Sequence, residues 1–139
     1  MKSVLLDSDV LLHFLEARQP FFEDAQKIMH LAATRVIAAY TTPLIVANIY
    51  YILRRKVEAP LLRGTLSDIM QYVPALSMDN NIVNVALQSD FADFEDALQH
   101  EAALISGKVE VILTRNGKDY KKAKLPAMTR GGFLLSHNS

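Results

Sequence analysis

The sequence has 139 residues, half of them hydrophobic, and its 15 basic and 15 acidic residues give a formal net charge of zero. This length predicts one domain covering residues 1–139, and the hydrophobic fraction is enough to build a core without cross-links. The absence of cysteine excludes disulfides and thiolate chemistry, the scattered histidines exclude a zinc-like spacing, and the balanced charge argues against binding nucleic acid through bulk charge alone.

The first residues predict neither a leader nor a membrane anchor. Asp7 interrupts the first apolar run far too early for a signal peptide. No apolar stretch reaches the roughly 18 residues that a membrane span needs. We therefore expect a soluble, cytoplasmic protein without membrane contact.

The predicted elements, in chain order, alternate between short apolar strands and longer amphipathic helices. They are a strand at 3–6, helices at 10–17 and 21–34, a strand at 36–40, a helix opened at residue 42, a helix at 61–72, a weak strand at 73–76, helices at 79–88 and 93–106, a strand at 109–113, and a weak strand near 127–128 before a short terminal helix. Thr42 suits an N-cap and Pro43 the first helical position. Their helix is expected to place Ile45, Ile49 and Ile52 on one apolar side.

This alternation predicts an α/β fold, a three-layer sandwich in which helices flank a central parallel sheet. The strand at 109–113 is β-branched and apolar, as expected of a strand buried on both faces. Ligands of such sheets bind outside the carboxyl ends of the strands. The residues that follow each strand are therefore the first candidates for a functional site.

Two carboxylates follow the first strand. Asp9, taken alone, is best explained as the N-cap of the next helix. Asp7 would lie at the strand tip with apolar residues behind it, a position that suits a cleft better than the core. We therefore predict that Asp7 belongs to the functional site.

Three acidic residues open the helix at 93–106, and Gly107 suits its end. Asp93 is a natural N-cap, and Glu95 and Asp96 suit the positive end of the helix dipole. Asp93 and Asp96 are three residues apart, so they can also share one side of the helix. Capping and a role in a site are both compatible with this pattern.

Polar residues also follow the strand at 109–113. Thr114 would lie at its tip, and Asn116-Gly117 would turn the chain. Asp119 then either caps a short helix or projects into the cleft, and both interpretations stay open. Asn48 lies inside an apolar helix, where it either bonds a neighbouring backbone group or faces the same cleft as Asp7.

These carboxylates would repel one another and raise one another's pKa values if they gathered at one edge of the sheet. A divalent cation removes that penalty. Because the expected ligands are oxygen atoms, the sequence predicts Mg²⁺ or Mn²⁺.

The sequence resembles the PIN-domain family over nearly its whole length, and is most similar to the branch of bacterial VapC-like toxins. Four segments in the family's order carry this resemblance: 4–12, 48–53, 93–99 and 113–120. The resemblance implies a central parallel sheet, frequent homodimerisation, and inhibition by a cognate antitoxin protein.

The resemblance also implies a set of site residues. Asp7 matches the acid after the first strand, and Asp96 matches the acid near the start of a later helix. Asn48 stands where the family generally has a glutamate. Asp119 or Asn116 could fill the fourth position.

The implied activity is metal-dependent hydrolysis of RNA phosphodiester bonds, as in an endoribonuclease. Asp7, Asp96 and Asp119 would be the principal ligands, with Asp93 as a further one. Asn48, Glu95 and Asp93 would otherwise act in the outer shell or position water.

Candidate substrate-binding residues lie around the fourth motif. They are Thr114, which matches a hydroxyl residue beside the acids of the family, with Arg115, Asn116 and Lys118. Further cations follow at Lys121, Lys122 and Lys124, and a second run stands at 54–56. Such runs are usually solvated surface, but their position beside the acids favours RNA binding.

Two alternatives remain. Asp7 and Asp9 after a strand also resemble the opening of haloacid-dehalogenase-like phosphatases, in which Asp7 would be the nucleophile and Asp9 the acid/base. A non-enzymatic alternative is a degenerate PIN-fold binding protein with weak or no nuclease activity, which Asn48 supports.

Overall fold

The computed structural model describes residues 1–17, 19–121 and 123–138. The strands are β1 (Ser3–Leu6), β2 (Ala38–Tyr40), β3 (Val111–Leu113) and β4 (Ala127–Met128), and the helices are α1 (Ser8–Leu15), α2 (Phe22–Ala33), α3 (Pro43–Leu53), α4 (Ala59–Met70), α5 (Asn80–Leu87), α6 (Phe94–Ser106) and α7 (Arg130–Asn138). A 3₁₀ helix occupies Gly117–Tyr120. No helix in this described part of the chain is long and apolar enough to cross a bilayer.

The strands form one parallel sheet in the order β2-β1-β3-β4, flanked by helices, so the predicted α/β sandwich is confirmed. The central strands β1 and β3 are buried because their residues are apolar without alternation. Leu6 pairs with Leu113 at the end of both strands. The next residues, Asp7 and Thr114, therefore leave the same edge of the sheet side by side.

Helix α3 begins as predicted, with the Thr42 hydroxyl accepting a hydrogen bond from the Ile45 amide at 3.2 Å and Pro43 in the first turn. Ile45 and Ile49 are fully buried. The prediction for Ile52 is wrong, because its side chain is 46% exposed and Leu53 is buried in its place. At about 3.6 residues per turn, positions four apart stay on one face of the helix, which favours residue 53 over residue 52.

The predicted strand at 73–76 is not a strand. Only an isolated parallel bridge joins Thr41 to Ala75. Pro74 lacks an amide hydrogen and contributes only its carbonyl, which accepts a hydrogen bond from the Thr41 amide at 3.0 Å. The ladder therefore does not extend beyond one bridge.

Helix boundaries follow local capping. Gly107 has a φ of 68° and ends α6 in the left-handed conformation, which confirms the predicted stop. Helix α1 begins at Ser8 and not at Val10, because Asp7 is its N-cap. The predicted capping role of Asp9 is therefore wrong, since Asp9 lies in the first turn of α1.

Candidate active site

Asp7 lies at the tip of β1 and is held by two hydrogen bonds. Its Oδ1 accepts from the Ser8 amide at 2.8 Å, and its Oδ2 accepts from the Thr114 hydroxyl at 2.8 Å. Burial raises the pKa of Asp7 above its usual value, the Thr114 bond opposes that rise, and the charge of Asp9 adds to it. Asp7 is therefore a fixed carboxylate whose negative charge is poorly compensated.

Asp96 lies in the first turn of α6 and shares this electrostatic environment. Burial, followed by the charges of Asp93 and Asp7, raises the pKa of Asp96 to about 6. The Tyr120 hydroxyl donates to Asp96 Oδ1 at 3.2 Å and opposes part of the rise. Asp119 adds a smaller repulsion. The charge of Asp7 after β1 therefore acts on Asp96 of α6 although the two residues are far apart in the sequence.

Asp119 lies inside the 3₁₀ helix and is exposed. Asn116, not Asp119, occupies the cap position of this helix, so the capping interpretation of Asp119 is wrong. The backbone amide of Asn116 donates to the Thr114 hydroxyl at 3.1 Å, while that hydroxyl donates to Asp7. Thr114 thus links the turn after β3 to the carboxylate after β1.

Asp93 is the N-cap of α6, as its position in the sequence suggested. Its Oδ1 accepts from the Asp96 amide at 2.9 Å, and the residue is exposed. Capping does not remove it from the site, because its charge is the second cause of the raised pKa of Asp96. Glu95 is exposed beside it.

Asn48 is half-buried on α3. Within the described residues, neither a backbone group nor Asp7 forms a hydrogen bond with the side-chain amide of Asn48. The structure therefore supplies no partner that would account for an asparagine in this apolar helix.

The predicted metal ligands are neighbours without forming a closed site. Among residues 1–17, 19–121 and 123–138, no three His, Asp or Glu side chains come together as a metal-binding group. What relates Asp96 to Asp7, Asp93 and Asp119 is that the charges of these three residues raise its pKa.

Asp9 fixes the turn after β3 to helix α1. Its Oδ2 accepts from the Arg115 backbone amide at 3.0 Å, and its Oδ1 is buried without a hydrogen-bond partner among the described residues. The Arg115 guanidinium lies over the Phe21 ring, 4.4 Å from its centroid. Arg115 is thus held through its backbone amide by Asp9 and through its guanidinium by Phe21.

Sequence reasoning missed three buried residues near the site. Tyr120 is 4% exposed, and burial, with the charges of Asp7 and Asp96, raises its pKa. His13 and Arg130 are also buried, with Arg130 Nη1 2.7 Å from His13 Nδ1.

Two of the missed residues had a weak sequence signal. Tyr120 directly follows Asp119, and Arg130 comes just after β4, at the same edge of the sheet as Asp7. Burial, more than the charge of Arg115, lowers the pKa of Arg130, whereas Asp9 and Asp24 oppose that effect.

The cations predicted to contact the substrate lie in two separate regions of the structure. Lys118, Lys121 and Lys124 line a cavity that Asp119 also lines, while Lys122 lies outside the described residues. In the run at 54–56, the Lys56 ammonium pairs with Glu16 at 3.1 Å. The Arg54 guanidinium lies over the Tyr51 ring at 5.2 Å. Those contacts engage two of the three cations of the second run, just after the end of α3.

Residues 3–118 match the PIN-domain family, and the chain belongs to that family. PIN domains are generally nucleases. The haloacid-dehalogenase-like alternative gains no support from this match. In addition, Asp9, its expected acid/base, is engaged by the Arg115 amide.

The fold is also similar to a chain in the crystal structure of VapBC2 from Rickettsia felis bound to a DNA fragment from their promoter. The two share 10% sequence identity with a TM-score of 0.66, over 91% of this chain and 98% of that chain. At this identity the likeness concerns the fold. Comparison with curated proteins finds no match.

Proposed function

We propose that the protein is an endoribonuclease that uses Mg²⁺ or Mn²⁺ to hydrolyse RNA phosphodiester bonds. The observation that carries the proposal is that hydroxyl donors fix two carboxylates, Asp7 by Thr114 and Asp96 by Tyr120. In addition to burial, the charges of Asp93, Asp7 and Asp119 raise the pKa of Asp96. Such uncompensated repulsion at the carboxyl edge of a parallel sheet suits a cation-binding site. Membership in the PIN-domain family supports the same conclusion.

The donor set fits a hard divalent cation. Mg²⁺ prefers oxygen ligands, keeps several of its waters and is commonly held by only one or two carboxylates. Asp7 and Asp96 would be those ligands, and Asp119, which is exposed, would act with Asp93 at longer range. When bound, the ion supplies the positive charge that activates water and stabilises the leaving oxygen.

The chain's own residues hold this arrangement in place. Thr114 orients Asp7, and Tyr120 orients Asp96, each through a hydroxyl that donates to the carboxylate. On the substrate side, Arg115 and Lys118 are exposed and would contact RNA phosphates.

Four further polar residues complete the assignment. Thr114 and Asn116 would shape the wall beside the scissile phosphate, since a hydrogen bond already joins them. Glu95 and Asn48 would position water around the ion, Glu95 from the exposed start of α6 and Asn48 from α3.

The activity is tested with purified protein and labelled single-stranded RNA. We expect cleavage with Mg²⁺ or Mn²⁺, none with EDTA, and a loss of orders of magnitude in Asp7→Asn and Asp96→Asn. Asp68→Asn is the matched control, because Asp68 is an exposed aspartate on α4 outside the site. Cleavage at the control's rate by the Asp7→Asn, Asp96→Asn double variant would overturn the proposal.

We further propose that the protein is the toxin of a toxin–antitoxin pair, a homodimer that acts in the cytoplasm and is inhibited by a small antitoxin protein. The likeness of its fold to a chain of the VapBC2 structure supports this assignment. Induced expression is expected to arrest bacterial growth, and Asp7→Ala is expected not to. A small open reading frame beside the gene should relieve the arrest when co-expressed. Unimpaired growth with the active protein would contradict the toxin assignment.

A second candidate is a PIN-fold binding protein without nuclease activity. Two observations favour it, the lack of a three-ligand group among the described residues and Asn48 in place of the family's glutamate. Calorimetric titration with Mn²⁺ separates the candidates. Heat that Asp7→Asn abolishes supports the nuclease, whereas no heat with either protein supports the binding role.

A further inference from the structure

A cavity of about 670 Å³ lies beside the candidate active site, between α5, α6 and the segment that follows the 3₁₀ helix. Its walls combine apolar, aromatic and charged side chains, among them Phe91, Leu104, Lys118, Asp119, Lys121 and Lys124. The predicted site shares Asp119 and Lys118 with this cavity and assigns no role to Phe91, Leu104 or the other residues of its apolar and aromatic walls.

The aromatic wall of the cavity is held in one orientation. The Phe91 ring packs edge-on against Tyr120, with centroids 5.8 Å apart, and lies 5.1 Å from the His100 ring. His100 is itself fixed, since its Nε2 accepts from the Leu125 amide at 3.2 Å and its Nδ1 therefore donates to Glu101 Oε1 at 3.2 Å. A half-buried, preorganised aromatic ring of this kind suits stacking against a flat ligand.

Three lysines at the opening face solvent. Lys118, Lys121 and Lys124 are exposed, and in the described part of the chain none of their ammonium groups has a hydrogen bond or an ion pair. Their ammonium groups are thus available to phosphate oxygens.

The cavity also contains acceptors. Asp90 and Glu101 line it, and carboxylates accept hydrogen bonds but donate none. Lysines alone would suit any anion. The combination of cations, a fixed aromatic ring and hydrogen-bond acceptors suits a nucleotide, which carries a phosphate, a flat base and N–H donors.

The cavity is continuous with the candidate active site. Phe91 packs on Tyr120, and the hydroxyl of Tyr120 bonds Asp96. Asp119 lines the cavity and also raises the pKa of Asp96. A ligand in the cavity would therefore lie next to any phosphodiester bound at Asp96.

We propose that this cavity binds one nucleotide of a single-stranded RNA substrate, adjacent to the scissile phosphodiester. The base packs against Phe91, and its phosphate meets Lys121 and Lys124. The substrate class rests on the proposed function, whereas the location rests on the cavity itself. Because a base within a duplex is already stacked on its neighbours, the cavity requires an unpaired strand.

The test measures binding without cleavage. In EDTA, fluorescence anisotropy measures the binding of a short labelled single-stranded RNA to three proteins. They are the wild type, the double variant Lys121→Ala, Lys124→Ala, and the single variant Phe91→Leu. The lysine variant is expected to bind roughly tenfold or more weakly. The dependence of log K on log salt should also become shallower by about 1.4, at about 0.7 for each lost cation. Phe91→Leu is expected to weaken binding with an unchanged salt slope.

Controls separate this cavity from general surface charge. Lys27→Ala removes an exposed lysine at a different pocket, on α2, and should bind RNA as the wild type does. An RNA duplex of the same length should bind more weakly than the single strand. Equal binding by the control and the cavity variants, or by duplex and single strand, would overturn the inference.

The inference and the proposed function can fail separately. If the cavity variants bind RNA more weakly but the wild type cleaves no RNA with Mg²⁺, the nucleotide site is supported and the nuclease proposal is contradicted. If cleavage depends on metal and the cavity variants keep the binding and the rate of the wild type, the nuclease proposal is supported and this nucleotide site is contradicted. A wild type that neither binds nor cleaves RNA would overturn both.

Discussion

Tyr120 connects Asp96 to the aromatic wall of the cavity, and the effect of its hydroxyl group on the pKa of Asp96 can be measured. Its hydroxyl donates to Asp96 Oδ1, which stabilises the carboxylate form. Tyr120→Phe should therefore raise the pKa of Asp96 further above about 6. Since one hydrogen bond contributes about 1 kcal/mol and a pKa unit corresponds to about 1.4 kcal/mol, the rise should be about one unit or less.

Carbon-13 NMR titration of the Asp96 carboxyl group in metal-free protein measures this shift. Tyr72→Phe is the control, because Tyr72 is a phenol on the α4 side of the molecule without a bond to Asp96. An unchanged or lowered pKa of Asp96 in Tyr120→Phe would show that the hydrogen bond does not form in solution.

The ionised Asp96 carboxylate should lower the free energy of unfolding of the metal-free protein. The folded-state pKa of Asp96 is about 6, above its model value of 3.8, so the folded state binds a proton that the unfolded state has released. The penalty is absent below pH 3.8, grows between 3.8 and about 6, and is fully present above about 6. Asp96→Asn should consequently be more stable than wild type near neutral pH by about 1 kcal/mol, after allowance for solvent screening.

Urea unfolding at about pH 7.5 and about pH 3.5 checks both halves of this prediction. The gain in the free energy of unfolding should be present at the higher pH and vanish at the lower one. Asp68→Asn should show no comparable gain at either pH. A gain that does not depend on pH would locate its origin outside the ionisation of Asp96.

At the scale of elements, two of the glycines with open surroundings, Gly107 and Gly64, should respond oppositely to alanine. Gly107 ends α6 with a φ of 68°, and no atom stands within 4 Å of an added Cβ, so the cost there is backbone strain alone. Gly107→Ala should lower the free energy of unfolding by about 1 kcal/mol.

Gly64 is the matched position inside α4, where a Cβ likewise meets no atom within 4 Å. Gly64→Ala should raise stability by about 0.5–1 kcal/mol because alanine restricts the unfolded chain and favours helix. Chemical unfolding of the two variants provides the comparison. The same sign of change in both would contradict the left-handed end of α6.

Elements with strong local signals were predictable from sequence. Thr42-Pro43 and Asp93 open helices, and Gly107 ends one, because capping depends on a few neighbouring atoms. The exceptions had a competing local cause. Pro74 prevented the predicted strand at 73–76, and Asp7 took the cap position assigned to Asp9.

The candidate site was predictable only in part, because its contacts join distant segments. That Asp7 and Thr114 share one edge follows from parallel pairing of β1 and β3, which apolar composition indicates. The Tyr120–Asp96 bond and the Arg130–His13 contact depend on how α6, α7 and the 3₁₀ helix pack. No local pattern in the sequence specifies that packing.

For the whole molecule, the proposed ion would connect elements that are far apart in the sequence. Asp7 belongs to the β1–α1 junction and Asp96 to α6, so an ion held by both would be present only in the folded state. A ligand that binds only the folded state stabilises it, by about 2.7 kcal/mol at 100 times its dissociation constant. Removal of the Asp7–Asp96 repulsion is included in that gain.

Thermal unfolding with increasing Mn²⁺ tests this coupling independently of catalysis. The melting temperature of the wild type should rise with ion concentration, and EDTA should reverse the rise. Asp7→Asn and Asp96→Asn should respond weakly, because each removes one of the two proposed ligands, while Asp68→Asn should respond as the wild type does. An equal rise in all four proteins would mean that the ion binds elsewhere, and Asp7 and Asp96 would then be neighbours that share no cation.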